Sequence, residues 1–123
     1  MAKRVLDVGQ CGMDHSAIRR LVEGQFAAQV VQAHGLADAI GRLKEEPFDL
    51  VLVNRKLDAD HSDGLEVLRA IKADTTLART PVMLVSNYPD AQEAAVAAGA
   101  EPGFGKSELS QQSTREKLRP FLS

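Results

Sequence analysis

Cysteine is nearly absent from this chain, with Cys11 the only one in 123 residues. A single thiol excludes an internal disulfide and a zinc site built on paired cysteines. Neither sign of charge is in excess, at 15 basic against 17 acidic side chains, so no overall field would recruit nucleic acid or an anionic membrane. Long apolar runs are missing too, and the run that follows Arg4 is too short for a signal peptide or a membrane span. We therefore expect a cytoplasmic protein in a reducing compartment.

What the sequence does contain is a regular alternation of short apolar runs and helical patterns. The apolar runs predict strands at Arg4 to Val8, Ala28 to Gln32, Leu50 to Asn54 and Val82 to Ser86, with a weaker fifth strand at Pro102 to Gly105. Between them, apolar residues recur three and four positions apart, as helices require. This alternation predicts one domain over residues 1–123, with a parallel sheet covered by helices on both faces. Ligands of such sheets bind at the carboxyl ends of the strands.

The third predicted strand ends in an amide at the place where a ligand would bind. The segment from Asp49 to Asn54 is an acidic start, a run of Leu and Val, and a polar tip, which is typical of a buried parallel strand that delivers a side chain to a site. The amide of Asn54 has no charge to hold a metal ion and no nucleophilic oxygen to attack phosphorus. A carboxylate at this position could do both, so the choice of residue matters.

The order and spacing of five short motifs resemble the receiver domain of bacterial two-component response regulators. The motifs are Asp49 to Asn54, Asp63 to Leu68, Pro81 to Ser86, Ala97 to Ala100, and Lys106 after the fifth strand. The resemblance spans essentially the whole chain. It implies a flavodoxin-like, doubly wound (βα)5 fold whose five-stranded parallel sheet has the order 2-1-3-4-5.

Three functional positions of that family have lost their carboxylates. The resemblance places the family's two metal-binding acidic residues at Gly9 and Gln10, and its phosphoacceptor aspartate at Asn54. At ~6 Å and an effective dielectric of ~20, each pair of unit charges is worth roughly 3 kcal/mol, and a hard dication prefers several charged oxygen ligands. We therefore expect no metal, no cofactor and no phosphorylation by the family's mechanism.

Two functional positions are kept, and one is displaced. Ser86 and Lys106 occupy the positions that contact the phosphoryl group in the family. The aromatic residue that often acts as a switch would stand at Gly103, and Phe104 next to it should face the other side of the strand. We expect Lys106 to be a solvated lysine bonded to strand-end carbonyls, with anion binding in a positive pocket as the alternative.

Several neighbouring residues have structural interpretations that we favour over functional ones. Cys11 is expected to be a small filler in a tight loop, with redox sensing the alternative. Asp7 is expected to make a structural hydrogen bond, and Asp14 with His15 to cap the first helix. The acidic loop from Asp58 to Asp63 lacks the glycine and glutamate of a calcium loop, so it is expected to be solvated, although it could close over the site.

No enzyme motif of this fold class is present, because the chain lacks a dinucleotide fingerprint, a P-loop and a nucleophile elbow. The leading hypothesis is a stand-alone pseudo-receiver that binds a protein, possibly a histidine kinase, through the fourth helix, fifth strand and fifth helix. A homodimer is possible, and no nucleic acid or membrane partner is expected. The alternative is a small-ligand or anion sensor that uses Lys106, Ser86 and Gln10. A third hypothesis, phosphorylation at a displaced acceptor such as Asp58, is the weakest.

Pro120 should bend or end the fifth helix.

Overall fold

The fold is a single five-stranded parallel sheet with helices on both faces. The computed structural model describes residues 2–123. Its strands are β1 (Lys3–Val8), β2 (Ala28–Ala33), β3 (Leu50–Asn54), β4 (Val82–Val85) and β5 (Glu101–Phe104). Its helices are α1 (Gly12–Gln25), α2 (Leu36–Glu45), α3 (Gly64–Ala73), α4 (Pro89–Ala97) and α5 (Gln112–Leu122), with a 3-10 turn at Lys106–Glu108. The strands lie in the order β2-β1-β3-β4-β5, which confirms the predicted fold.

Two apolar layers hold the helices against the sheet. On one face, Leu6, Val8, Val51 and Val53 pack with residues of α2, α3 and α4, among them Leu43, Leu68 and Ala95. On the other face, Val5, Leu50 and Leu52 pack with α1 and α5 through Ile18 and Leu118. Because successive strand residues point to opposite faces, each strand supplies both layers, and all five residues of β3 are buried. Burial of this central strand fixes Asn54 at the carboxyl edge of the sheet.

One prediction about a helix end is wrong, and another, that Pro120 bends or ends the fifth helix, is wrong as to the ending. The first helix is capped by Cys11, whose sulfur accepts a hydrogen bond from the backbone of Asp14 at 3.5 Å, so Asp14 and His15 lie inside the helix and do not cap it. The fifth helix does not end at Pro120 but continues to Leu122. Burial of Leu118 and Leu122 keeps its last turn on the sheet, where a proline interrupts few backbone bonds. Across residues 2–123, no helix combines the length and apolar character needed to cross a bilayer.

Candidate functional site

Asn54 lies at the end of β3 with its side chain turned toward the β1–α1 turn. Its amide nitrogen donates a hydrogen bond to the carbonyl oxygen of Gly9 at 3.0 Å, and the residue is buried. The same carbonyl accepts the backbone N–H of Asp58 at 2.9 Å. The amide therefore ties two loops of the sheet edge together. A carboxylate could not make this bond, because both of its oxygens are acceptors when ionised.

Gly9 is held in a conformation that excludes a side chain. Its φ angle is +78°, and a Cβ atom added there would lie 2.3 Å from Cδ2 of Leu57. Leu57 itself is fully buried, so it has no free space into which to retreat. Only glycine combines a left-handed backbone with such close contact at no steric cost. An acidic residue at position 9 is thus excluded both by backbone geometry and by packing.

The side chains of Gln10 and Asp7 are buried below the carboxyl edge of the sheet and are not exposed at that edge. Gln10 is 1% exposed, and it does not belong to the cavity lining described below, so the expectation that it lines an anion pocket is wrong. Its backbone follows the left-handed turn at Gly9, which turns the side chain inward. Asp7 makes the expected structural hydrogen bond, because its Oδ2 lies 2.7 Å from Nδ1 of His15. Burial raises the pKa of Asp7 to about 6, although the hydrogen bond from His15 acts to lower it.

Lys106 forms an ion pair and does not bond to strand-end carbonyls, contrary to the sequence prediction. Its ammonium nitrogen lies 2.8 Å from Oδ2 of Asp14, and this hydrogen bond lowers the pKa of the Asp14 carboxyl. The pair joins the first turn of α1 to the segment after β5. Ser86 closes a short local turn, since its hydroxyl oxygen accepts the backbone N–H of Tyr88 at 3.1 Å just before α4 begins.

A small cavity of about 180 Å³ opens at this edge, and its charge comes from residues that the sequence analysis did not select. Its lining includes Asn54, Arg55, Lys56, Ser86 and Lys106. Asp14 offsets the charge of Lys106, so the net positive charge is that of Arg55 and Lys56. The signal that could have revealed them is their position, because they directly follow Asn54 in the sequence.

Arg55 is oriented by an aromatic ring at the rim of the cavity. Its guanidinium carbon lies 4.9 Å from the centroid of the Tyr88 ring, a distance at which a cation is attracted to the ring face. The ring is itself 60% exposed. The contact therefore links the cavity to the outer surface of α4.

Gly103, where the resemblance places the family's switch aromatic, is covered by a glutamine from α4. A Cβ atom at Gly103 would lie 2.1 Å from the Leu84 carbonyl oxygen, so any larger residue is excluded. Gln92 spans the space above it, donating to the carbonyls of Leu84 at 2.8 Å and Ser86 at 3.2 Å. Its own carbonyl accepts the Gly103 N–H at 3.1 Å. The side chain of Phe104 is buried on the opposite face, against α1 and α5.

The hydrogen bonds of Gln92 to Leu84, Ser86 and Gly103 are called the Gln92 clamp. This clamp lies at the floor of a larger groove between α4, β5 and α5. This groove has a volume of about 810 Å³ and is lined by residues that include Tyr88, Val96, Pro102 and Lys117. Val96 is 45% exposed and, with Tyr88, belongs to the few large apolar side chains on the surface. Such side chains beside a groove are typical of contact surfaces.

The acidic loop is tied back by its own hydrogen bonds. The Leu57 N–H donates to the Ser62 carbonyl at 2.9 Å, and Ser62 donates to Asp60. The backbones of Lys56 and Asp63 form an isolated antiparallel β-bridge. His61 takes a left-handed φ of 61°. Among residues 2–123, no cluster of three or more acidic, histidine or cysteine side chains could hold a metal ion. No residue from 58 to 63 lines the small cavity.

Comparisons with known proteins agree with this architecture. The family model of the response regulator receiver domain matches residues 14–114, a range that begins in α1 and leaves out the Gly9 turn. The signal receiver domain of a DNA-binding response regulator from Colwellia psychrerythraea 34H is 22% identical, with 96% of each chain covered and a TM-score of 0.80. A sensor protein from Polaromonas sp. JS666 is 15% identical at a TM-score of 0.83, over 97% of this chain and 94% of that one. A chemotaxis response regulator of Vibrio cholerae is 15% identical at a TM-score of 0.73, over 94% and 98%.

Proposed function

The chain belongs to the response regulator receiver domain family of two-component signalling, and on that premise we propose that it acts as a pseudo-receiver. In this role it binds a signalling protein without being phosphorylated and catalyses no reaction. The observation that carries the proposal is the hydrogen bond from Asn54 to the Gly9 carbonyl. Asn54 stands at the position where the family has its phosphoacceptor. Its amide binds the β1–α1 turn, which is where the family has its metal ligands.

Charge and packing at the sheet edge support the same function. Phosphoryl transfer needs a metal ion to offset charge and a nucleophile in line with the phosphorus. Gly9 and Gln10 offer no carboxylate, and Leu57 packs where a side chain at position 9 would stand. Of the acids on β1 and in the first turn of α1, Asp14 is engaged by Lys106 and Asp7 is fully buried against His15. This set of groups gives a divalent ion too few charged oxygens to bind.

The groove between α4, β5 and α5 is the proposed partner surface. Tyr88 and Val96 offer exposed apolar area there, and Gln92 holds the floor of the groove in one arrangement. A surface that is held in one arrangement needs no phosphorylation to become competent for binding. Histidine kinases are one class of partner that suits this surface. Action in the cytoplasm is part of the same proposal.

The test has a chemical arm and a binding arm. Incubation with a small phosphodonor and magnesium, followed by intact-mass spectrometry, should show no gain of ~80 Da for one phosphate group. Pull-down from the native cell should capture a partner with the wild-type chain but not with the Val96→Asp variant. The matched control is Met13→Ser, since Met13 is also an exposed apolar residue but lies on α1. A stoichiometric phosphate adduct would refute the proposal, and so would equal capture by the wild-type and Val96→Asp chains.

The positive cavity favours a second candidate function, the sensing of a small oxyanion. Arg55 and Lys56 line it without a carboxylate partner among residues 2–123, next to Asn54 and the Ser86 hydroxyl. A volume of about 180 Å³ is large enough for a phosphate or a short carboxylate. Calorimetric titration with inorganic phosphate should give saturable heat that the Lys56→Ala variant loses. The absence of heat at millimolar phosphate would leave protein binding as the function.

A further inference from the structure

Asp7 and His15 form a buried acid–imidazole pair that the proposed function does not use. Asp7 is 0% exposed, and its Oδ2 lies 2.7 Å from the imidazole Nδ1 of His15. The His15 side chain is 14% exposed, so the far side of the imidazole ring is in reach of solvent. Burial of an ionised carboxylate is unfavourable unless its oxygens are fully paired. The ionisation of this pair is therefore sensitive to any group that completes its hydrogen bonds.

The hydrogen bonding of the pair is incomplete, and a buried amide stands beside it. The second oxygen of Asp7, Oδ1, and both amide atoms of Gln10 are buried without a partner among residues 2–123. An amide can present its N–H to a carboxylate or its oxygen to a protonated acid. Ionised and neutral Asp7 thus favour opposite orientations of Gln10. Because Gln10 precedes Cys11, the cap of α1, its orientation bears directly on the start of that helix.

The charged groups around the pair come from α1 and from the segment after β5. Burial raises the pKa of Asp7, while His15, then the neighbouring Gln10 amide and then the charge of Lys106 act to lower it, and burial prevails. Asp14 follows in the same helix turn and binds Lys106 at 2.8 Å, and Glu23 lies further along α1, where it also interacts with the His15 charge. The strands on either side offer no charge, since the residues in register with Asp7 are Gln32 on β2 and Leu52 on β3.

We propose that Asp7, His15 and Gln10 form a proton-binding site that transmits mildly acidic pH to the first turn of α1 and to Lys106. A proton from water binds Nε2 of the partly exposed imidazole, and the proton on Nδ1 passes to Oδ2 of Asp7. One N–H bond forms, one N–H bond breaks and one O–H bond forms, so the imidazole stays neutral in its other tautomer and the pair gains one proton. Gln10 then turns its oxygen toward the acid, and the movement reaches Lys106 through Asp14, the neighbour of His15. This inference does not depend on the function proposed above.

The experiment follows the carboxyl carbon of Asp7 and the backbone amides by NMR from pH 4 to 8. The protein carries His34→Gln and His61→Gln, which remove the other two histidines at exposed positions and leave His15 as the only imidazole. We expect the Asp7 carboxyl to titrate with a midpoint near pH 6. The amides of Gln10 and Lys106 should shift with the same midpoint.

Two variants separate this site from ordinary histidine titration. In Asp7→Asn, the amide of Lys106 should no longer move between pH 4 and 8. In His15→Gln, the Asp7 carboxyl should still titrate, at a different midpoint, which keeps the test open if one variant does not fold. The inference is overturned if the Asp7 carboxyl titrates below pH 4.5 in the histidine-reduced protein, or if Lys106 shifts equally with and without Asp7.

Discussion

Truncation of Gln92 should loosen α4 from the sheet. The Gln92→Ala variant loses two donated bonds, to the carbonyls of Leu84 and Ser86, and one accepted bond from Gly103. At about 1 kcal/mol net per buried hydrogen bond, the expected loss is ~3 kcal/mol in the free energy of unfolding. A domain of this size has roughly 5–15 kcal/mol in total. The effect is large because Ala95 is the only fully buried residue of α4, so the helix has little apolar anchorage.

The assay is urea unfolding followed by circular dichroism, with thermal unfolding as a second readout. A loss of ~3 kcal/mol corresponds to a fall of roughly 12 °C in Tm for a chain of this length. Gln112→Ala is the matched control, because Gln112 makes one exposed bond, to Glu116 on the same helix, and should cost ~0.5 kcal/mol or less. If Gln92→Ala and Gln112→Ala lower the free energy of unfolding by the same small amount, Gln92 does not hold α4 against the sheet. The groove between α4, β5 and α5 would then not be fixed in one arrangement.

Three further predictions concern the sheet edge. Asn54→Asp should remain unphosphorylated by a small phosphodonor and magnesium, because Gly9 and Gln10 still offer no carboxylate to a metal ion. A stoichiometric phosphate adduct in its intact mass would refute this reasoning. Asp7→Asn should stabilise the fold at pH 7 by up to ~3 kcal/mol, because the pKa of Asp7 is raised from 3.8 to about 6. Protonated Asp7 makes its whole contribution to the free energy of unfolding below pH 3.8, and this contribution is lost as the pH rises through about 6. Urea unfolding at pH 3.5 should therefore show no difference in stability between Asp7→Asn and the wild type. Gly9→Ala should cost ~2 kcal/mol or more, since the new methyl group meets Leu57, and an unchanged urea midpoint would contradict this.

The fold could be predicted because its signals are local. A buried parallel strand is a run of apolar residues and an amphipathic helix has a fixed period, so β3 was predicted at its observed bounds, Leu50–Asn54. Because ligands bind at the carboxyl ends of parallel strands, the predicted strand ends also indicated which edge of the sheet carries the site. Helix caps were harder to predict, because Cys11, Asp14 and His15 all lie at the start of α1. The side chains of Asp14 and His15 pair with residues elsewhere in the fold and do not cap the helix.

The contacts of the candidate site could not be predicted, because they join residues that lie far apart in the sequence. Lys106 and Asp14 are separated by 92 positions, and no periodic pattern relates them. The clamp of Gln92 on Gly103 depends on how closely β5 approaches β4, where the register shifts between Met83 and Val85. Such contacts follow from packing, which a single sequence does not report.

Under the proposed pseudo-receiver function, the contact of Leu57 with Gly9 makes an acidic metal site at position 9 hard to restore. A carboxylate at position 9 needs Leu57 cut back first, and removing most of a fully buried leucine costs about 2–5 kcal/mol. That intermediate is less stable and has gained no activity, so selection for phosphorylation would not favour it. Any return, in evolution or in the laboratory, has to take these changes in a set order. The contact of Leu57 with Gly9 would therefore oppose an acid at position 9 as strongly as the absence of a carboxylate at Gln10 opposes metal binding.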